Sequence, residues 1–189
     1  MYHRNVRYKM KNNTEQPWLE AGYDIFAKDG PNGLKVEHIA KKIGISKSSF
    51  YHLFVDMELF QEKLLEYHLE KARNMSEQSK NCTAIVPDIL NLFLENKIAL
   101  LFNRQLCIHR NNQLFQSYSE KAIAIVENTY FDKWVDLLGL QTQEHIARNI
   151  LKIYTDNFFF RISEETLTYE WLLNLLDEIK ILLKDIKRK

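Results

Sequence analysis

Apolar residues recur along this chain at helical spacing from one end to the other, with no sustained two-residue alternation that would mark strands. Leu19, Gly22, Tyr23 and Phe26 share one helical face, and Asp29-Gly30-Pro31-Asn32-Gly33 stops that helix. Thr14 is placed to cap it, with Pro17 in its first turn, where a missing N–H costs least. A short helix follows with Val36, Ile39, Ala40 and Ile43 inward; Gly44 breaks it, and Ser46 caps a second short helix carrying Phe50, Leu53 and Phe54. A long helix begins after Asp56, with Phe60, Leu64, Leu65, His68, Ala72 and Met75 on its apolar side, and ends in the polar stretch 76–83. The spacing then predicts one helix from Pro87 to about Phe102, a polar break over 103–116, and a helix from near Ser119 to Leu138. Thr142 opens the next helix, with Ile146, Ile150, Ile153, Tyr154 and Phe158 on its apolar face. After Ser163, Leu167, Trp171, Leu172, Leu175, Ile179, Leu182 and Ile186 mark the last.

Composition sharpens this all-α reading. Five glycines and three prolines in 189 residues leave little material for the many tight turns of a sandwich or barrel. The net charge of +1 is unevenly spread: residues 1–55 hold +4 and the remainder −3. A basic head on a mildly acidic body suits a polyanion at one end only. Residues 1–13 (MYHRNVRYKMKNN) read as a flexible basic arm, in which Arg4 and Arg7 could reach a minor groove. The start of the chain lacks the apolar core of a secretory signal, and no apolar run spans a bilayer, so a cytoplasmic location is expected. Cys82 and Cys107 form no metal or redox spacing and are expected as reduced thiols.

The chemistry-bearing segment is 36–54, VEHIAKKIGISKSSFYHLF. Two short helices crossing through a tight turn need a small residue at the crossing and a positive-φ residue in the turn; Ala40 and Gly44 supply them. Ile45 and Phe50 anchor the second helix, and Lys47, Ser48 and Ser49 fill its exposed first turn. Free N–H groups there favour phosphate, and Ser and Lys side chains can reach base edges or phosphates.

These residues closely resemble the head of the tetracycline-repressor (TetR) family. Phe26-Ala27-Lys28-Asp29-Gly30 matches the end of that family's first helix, Val36-Glu37-His38-Ile39-Ala40 its second, and Gly44-Ile45-Ser46-Lys47-Ser48-Ser49-Phe50-Tyr51-His52-Leu53-Phe54 its turn and recognition helix. The resemblance covers the first third of the chain. It implies a three-helix DNA-binding head over 14–55 and a helical ligand-binding and dimerisation body over 56–189. It places Ser46, Lys47, Ser48, Ser49, Tyr51 and His52 at the DNA surface, with Tyr51 and Lys47 toward phosphates and Ser48 and His52 toward bases. Two positions depart from the pattern. Lys35 stands where Ser or Thr often caps the second helix and can reach phosphate without capping, and Met57 replaces a common phosphate-binding lysine.

The same resemblance implies a homodimer joined through the last two helices, a palindromic operator in double-stranded DNA, and a small-molecule effector. Phe158-Phe159-Phe160 point in three directions on one helix, so a single core cannot readily bury all of them. Phe93, Phe102, Tyr118, Tyr130, Trp134, Tyr154 and Phe158 are the aromatics expected to line an effector cavity. No phosphate-binding loop, dinucleotide fingerprint, nucleophile elbow or zinc-protease motif is present, so no enzyme, cofactor, catalytic residue or metal site is expected. The function read is a ligand-responsive transcriptional repressor. The alternative is a helical ligand-binding or interaction module whose head does not select DNA sequence.

Overall fold

A computed structural model of the chain describes residues 6–187, with side chains described for 14–184. The described residues form nine α-helices and no strand: α1 (Val6–Asp29), α2 (Val36–Ile43), α3 (Lys47–Phe54), α4 (Met57–Ser79), α5 (Leu90–Glu95), α6 (Lys97–Ile108), α7 (Gln113–Leu138), α8 (Glu144–Arg161) and α9 (Tyr169–Lys187). The all-α expectation holds. No helix among the described residues is long and apolar enough to cross a membrane.

Head packing follows from a knot of aromatic rings. Trp18 of α1, Phe50 and Phe54 of α3 and Phe60 of α4 are fully buried. Phe50 stands 5.3 Å from Trp18, 5.1 Å from Phe54 and 5.2 Å from Phe60, ring centroid to centroid. Such edge-on and tilted pairs add about 0.5–1.5 kcal/mol each beyond area burial. The knot needs α1 and α4 in close approach, and Gly22 permits it: a Cβ there would lie 2.5 Å from Phe60 Cζ. Gly44 takes φ 69° and ψ 24°, and the Ile45 N–H donates back to the Ala40 carbonyl at 3.1 Å, which closes α2 and turns the chain into α3.

Several helix boundaries differ from the sequence pattern. α1 begins at Val6, so the backbone read as an arm is helical from there and Thr14 starts nothing. Pro17 lies inside α1, where its missing N–H leaves the Asn13 carbonyl without an intrahelical donor. Arg4 and the Arg7 side chain lie outside the described residues. The helix predicted over 87–102 is interrupted at Asn96, whose side chain donates to the Leu92 carbonyl at 2.9 Å and to Gln78 Oε1 at 3.3 Å. The stretch 103–108, read as a polar break, continues α6 because its polar side chains face inward. Asn103 and Gln105 are buried, and Gln105 Nε2 donates to the Lys28 carbonyl at 3.2 Å, serving the last turn of α1. Asn112, not a residue near Ser119, caps α7: its Oδ1 accepts from the Leu114 and Phe115 N–H groups at 2.9 and 3.3 Å.

In the body, α4 lies along α7, α1 packs on α6, α8 crosses α6 and α7, and α9 packs on α5. α4 therefore belongs to both halves: its first turn closes the head and its middle lines the interior of the body.

Candidate nucleic-acid interface and interior cavity

α3 presents two distinct faces. Phe50 and Phe54 point inward with no exposed surface, while Lys47, Ser48, Tyr51, His52 and Val55 are exposed along one side at helical spacing. Tyr51 is 55% exposed, its ring held edge-on to Phe50 at 5.4 Å, so a core ring fixes a surface phenol. Ser46 occupies the capping position of α3, but its hydroxyl makes no capping bond. It pairs instead with the hydroxyls of Ser48 at 2.9 Å and Ser49 at 3.0 Å. The three hydroxyls satisfy one another, which leaves the first N–H groups of α3 open to an incoming anion.

Lys47 Nζ is 3.0 Å from Glu37 Oε1 on α2, and both side chains are mostly exposed. A backbone hydrogen bond first, and then Lys47, draw the Glu37 carboxyl below its ordinary value. An exposed pair of this kind is held weakly, so phosphate can take Lys47 from Glu37. Lys35 is exposed at the start of α2, and its backbone carbonyl accepts from His38 and Ile39 N–H at 2.9 and 3.0 Å. Met57 is half-buried and packs on the core, so its position serves packing and does not reach outward.

Between α3 and α4, Val55 adopts φ 64°, a conformation that a β-branched residue rarely takes, and is 69% exposed. Asp56 then caps α4 through a 2.8 Å bond from the Leu59 N–H. Val55→Gly is expected to raise stability by about 1 kcal/mol, the relief of left-handed strain less the entropy of a freer unfolded chain. A higher urea midpoint at unchanged m-value checks this; an unchanged or lower midpoint would show that Val55 carries no strain.

A second feature lies inside the body. A cavity of about 60 Å³ opens between α4, α5, α6, α7 and α8. Of the aromatics expected from sequence, Phe93, Tyr130, Tyr154 and Phe158 line it, joined by Phe159. The other three sit elsewhere. Phe102 is stacked between α1 and α4, with ring centroids 4.3 Å from Tyr23 and Phe26 and 4.6 Å from His68. Tyr118 bridges α7 to α4 by donating to Glu66, a bond that pushes its phenol up to about 12. Trp134 donates to the Ala147 carbonyl at 3.0 Å beneath α8.

Four polar side chains that the sequence reading did not assign to a site also face the cavity: His68, Asn103, Glu127 and Thr155. His68 is fully buried, and burial brings its pKa down to about 4, so it is neutral. Its Nε2 lies 3.2 Å from Asn103 Oδ1, which can only accept; Nε2 therefore carries the proton, and Nδ1 accepts from the Tyr23 hydroxyl at 2.8 Å. This chain of bonds runs from α6 through α4 to α1, from the cavity wall to the first helix of the head. His68 had a signal in the sequence, a polar residue on the apolar side of a helix. Asn103 was hidden by its polar neighbours, and Glu127 had no signal at all.

The exposed face on α3, the left-handed turn at Gly44 and the aromatic anchor beneath define a helix-turn-helix DNA-binding protein. Residues 19–62, the helix-turn-helix head, match the family model for bacterial regulatory proteins of the tetR family. The fold is similar to that of a solved structure from Rhodococcus sp. assigned to the TetR-family transcriptional regulators. That structure is 18% identical, with 91% of this chain and 99% of the other covered at a TM-score of 0.50. No curated protein matches the chain in sequence.

Proposed function

We propose that the chain is a ligand-responsive transcriptional repressor that acts in the cytoplasm and binds a palindromic operator as a homodimer. The observation that carries this reading is the placement of α4, which closes the DNA-binding head at one end and lines an interior cavity with the other. The division between head and body falls at Asp56, the cap of α4. Lys35, Lys47 and Tyr51 take phosphates, and Ser48 and His52 face the bases, with Ser46 and Ser49 holding the first turn of α3.

Pairing of two copies is supported by the outer surface of α8 and α9. Ile146, Ile153 and Phe160 lie seven residues apart on α8 and are exposed, Ile153 by 64% and Phe160 by 85%; Ile181 and Leu182 are exposed on α9. Large apolar side chains in such a row favour a partner with the same row, which a two-fold axis supplies. Phe158 and Phe159 turn inward, so the aromatic triplet divides its rings between core and surface.

Release follows from the size of the cavity. A benzene-sized guest needs roughly 150 Å³, and the cavity is about 60 Å³. A ligand therefore binds best to a state in which α4 and α7 have moved apart. The Tyr23–His68–Asn103 bonds and the Phe102 stack pass that movement to α1, changing the spacing of the two α3 helices. The shift is limited by the ligand's affinity difference between the two states.

The interface is tested by two variants. Lys47→Ala is expected to weaken all DNA sequences alike and to lower the slope of log K against log salt by about 1. Tyr51→Ala is expected to weaken operator binding roughly tenfold or more, the loss of a hydrogen bond to a charged group, while the Tm stays put. Unchanged affinity and salt slope in both variants, measured by fluorescence anisotropy, would remove α3 from the DNA interface.

A further inference from the structure

The walls of the interior cavity are electrostatically one-sided. Glu127 is the one acidic side chain that lines it, His68 is neutral, and no lysine or arginine is among the lining residues. The carboxylate accepts a hydrogen bond from the Thr155 hydroxyl of α8. Arg148, the nearby cation, lies over the Phe131 ring at 3.9 Å and makes no ion pair with Glu127 among the described residues. Burial raises the Glu127 pKa, the Thr155 bond and Arg148 oppose it, and Asp156 adds to the rise, so a cation bound beside Glu127 would favour its charged form. The aromatic side chains of Tyr130, Tyr154 and Phe158 line the same cavity.

We propose that this cavity is selective for a small organic monocation, an alkyl- or aryl-ammonium with an apolar body, whose charged end pairs with Glu127. The inference rests on the reading of the cavity as the effector site and gives that effector a charge. A neutral apolar guest would displace water from Glu127 and give its carboxylate nothing in return. An anion would add a second negative charge to a wall with no cation. A cation offsets the buried charge, accepts the company of aromatic faces, and lets the apolar body fill the space among Phe93, Met75 and Val126. Met75, with a flexible thioether chain, can yield as the cavity widens.

Calorimetric titration of the full chain with benzylammonium, benzyl alcohol and benzoate, three probes of one shape and different charge, tests this. The expected order is benzylammonium tightest, benzyl alcohol about tenfold or more weaker, benzoate weakest, from the usual worth of a charge-assisted hydrogen bond. In Glu127→Gln, which keeps the shape and the Thr155 partner, the preference for benzylammonium over benzyl alcohol is lost. The three-probe order on the native chain stands as a test even if that variant does not fold. Equal affinity for the ammonium and the alcohol, or an ammonium preference that survives Glu127→Gln, overturns the cation assignment and leaves the cavity as an effector site. Binding of none of the three probes at millimolar concentration overturns the effector-site reading itself.

Discussion

Phe102→Ala is expected to lower the stability of the chain by about 3–5 kcal/mol, the usual cost of emptying a buried phenylalanine site. The ring has no exposed surface and is packed among Tyr23, Phe26 and His68, so three side chains from α1 and α4 lose a face each. They cannot collapse freely into the gap, because Tyr23 is hydrogen-bonded to His68 and His68 to Asn103. For a chain of this length the loss corresponds to a fall in Tm of roughly 6–20 °C. Tyr51→Ala supplies the contrast: an aromatic of similar size, exposed on α3, whose removal is expected to change stability by no more than about 0.5 kcal/mol. A fall below about 1 kcal/mol for Phe102→Ala would mean that the stack does not join head to body, and the proposed route from cavity to DNA would lose its middle.

The second large effect concerns pairing. Ile153→Asp together with Phe160→Asp is expected to convert the proposed dimer to monomer while leaving the helical fold intact, since both side chains stand outside the core. The four introduced carboxylates would be brought together across the interface, and like charges buried together are strongly unfavourable. Operator affinity is expected to fall about 100- to 10,000-fold, because the second half-site is no longer held at high effective concentration. Sedimentation and anisotropy on the same samples read both quantities. A double variant that stays dimeric would move the interface off this face, and a monomer with undiminished operator affinity would show that one head suffices.

What the sequence made legible, and what it hid, follows from how locally each feature is encoded. The head is written in short range: Gly44 needs its left-handed turn, Ala40 its crossing, and Phe50 and Phe54 their inward face, whatever lies beyond residue 60. The basic residues and Tyr51 then fall on the opposite side of α3 by helical geometry alone. The body is written in contacts between distant segments. Asn103 and Gln105 look like a surface loop until α4 and the end of α1 arrive to accept them. Asn96 breaks a helix because its side chain bonds back to the Leu92 carbonyl, a choice that periodicity does not register. The aromatics could be counted but not sorted: Phe102 went to the head–body junction, Tyr118 to a surface bridge and Trp134 beneath α8. Phe93, Tyr130, Tyr154 and Phe158 reached the cavity. Thr14 and Pro17 look like a helix start, yet α1 runs through both. Ser46 sits where a cap belongs and spends its hydroxyl on neighbouring serines.

The cavity and the head share α4, and this gives the repressor reading its physical content. A guest that widens the space between α4 and α7 must disturb His68, both of whose ring nitrogens are hydrogen-bonded. Any such disturbance reaches Tyr23 on α1 directly. Coupling of this kind is reciprocal, so operator DNA is expected to weaken the cavity's affinity for a ligand by the same factor that the ligand weakens DNA.

The most direct test of the central claim is selection of binding sites from a random double-stranded DNA pool by the native chain, with Tyr51→Ala carried in parallel. The expected result is recovery of a palindrome whose half-sites are separated by whole helical turns, bound more weakly as salt rises and more weakly by the variant. Recovery of no enriched sequence by folded, ligand-free protein would contradict it and leave a helical ligand-binding module whose head does not read DNA.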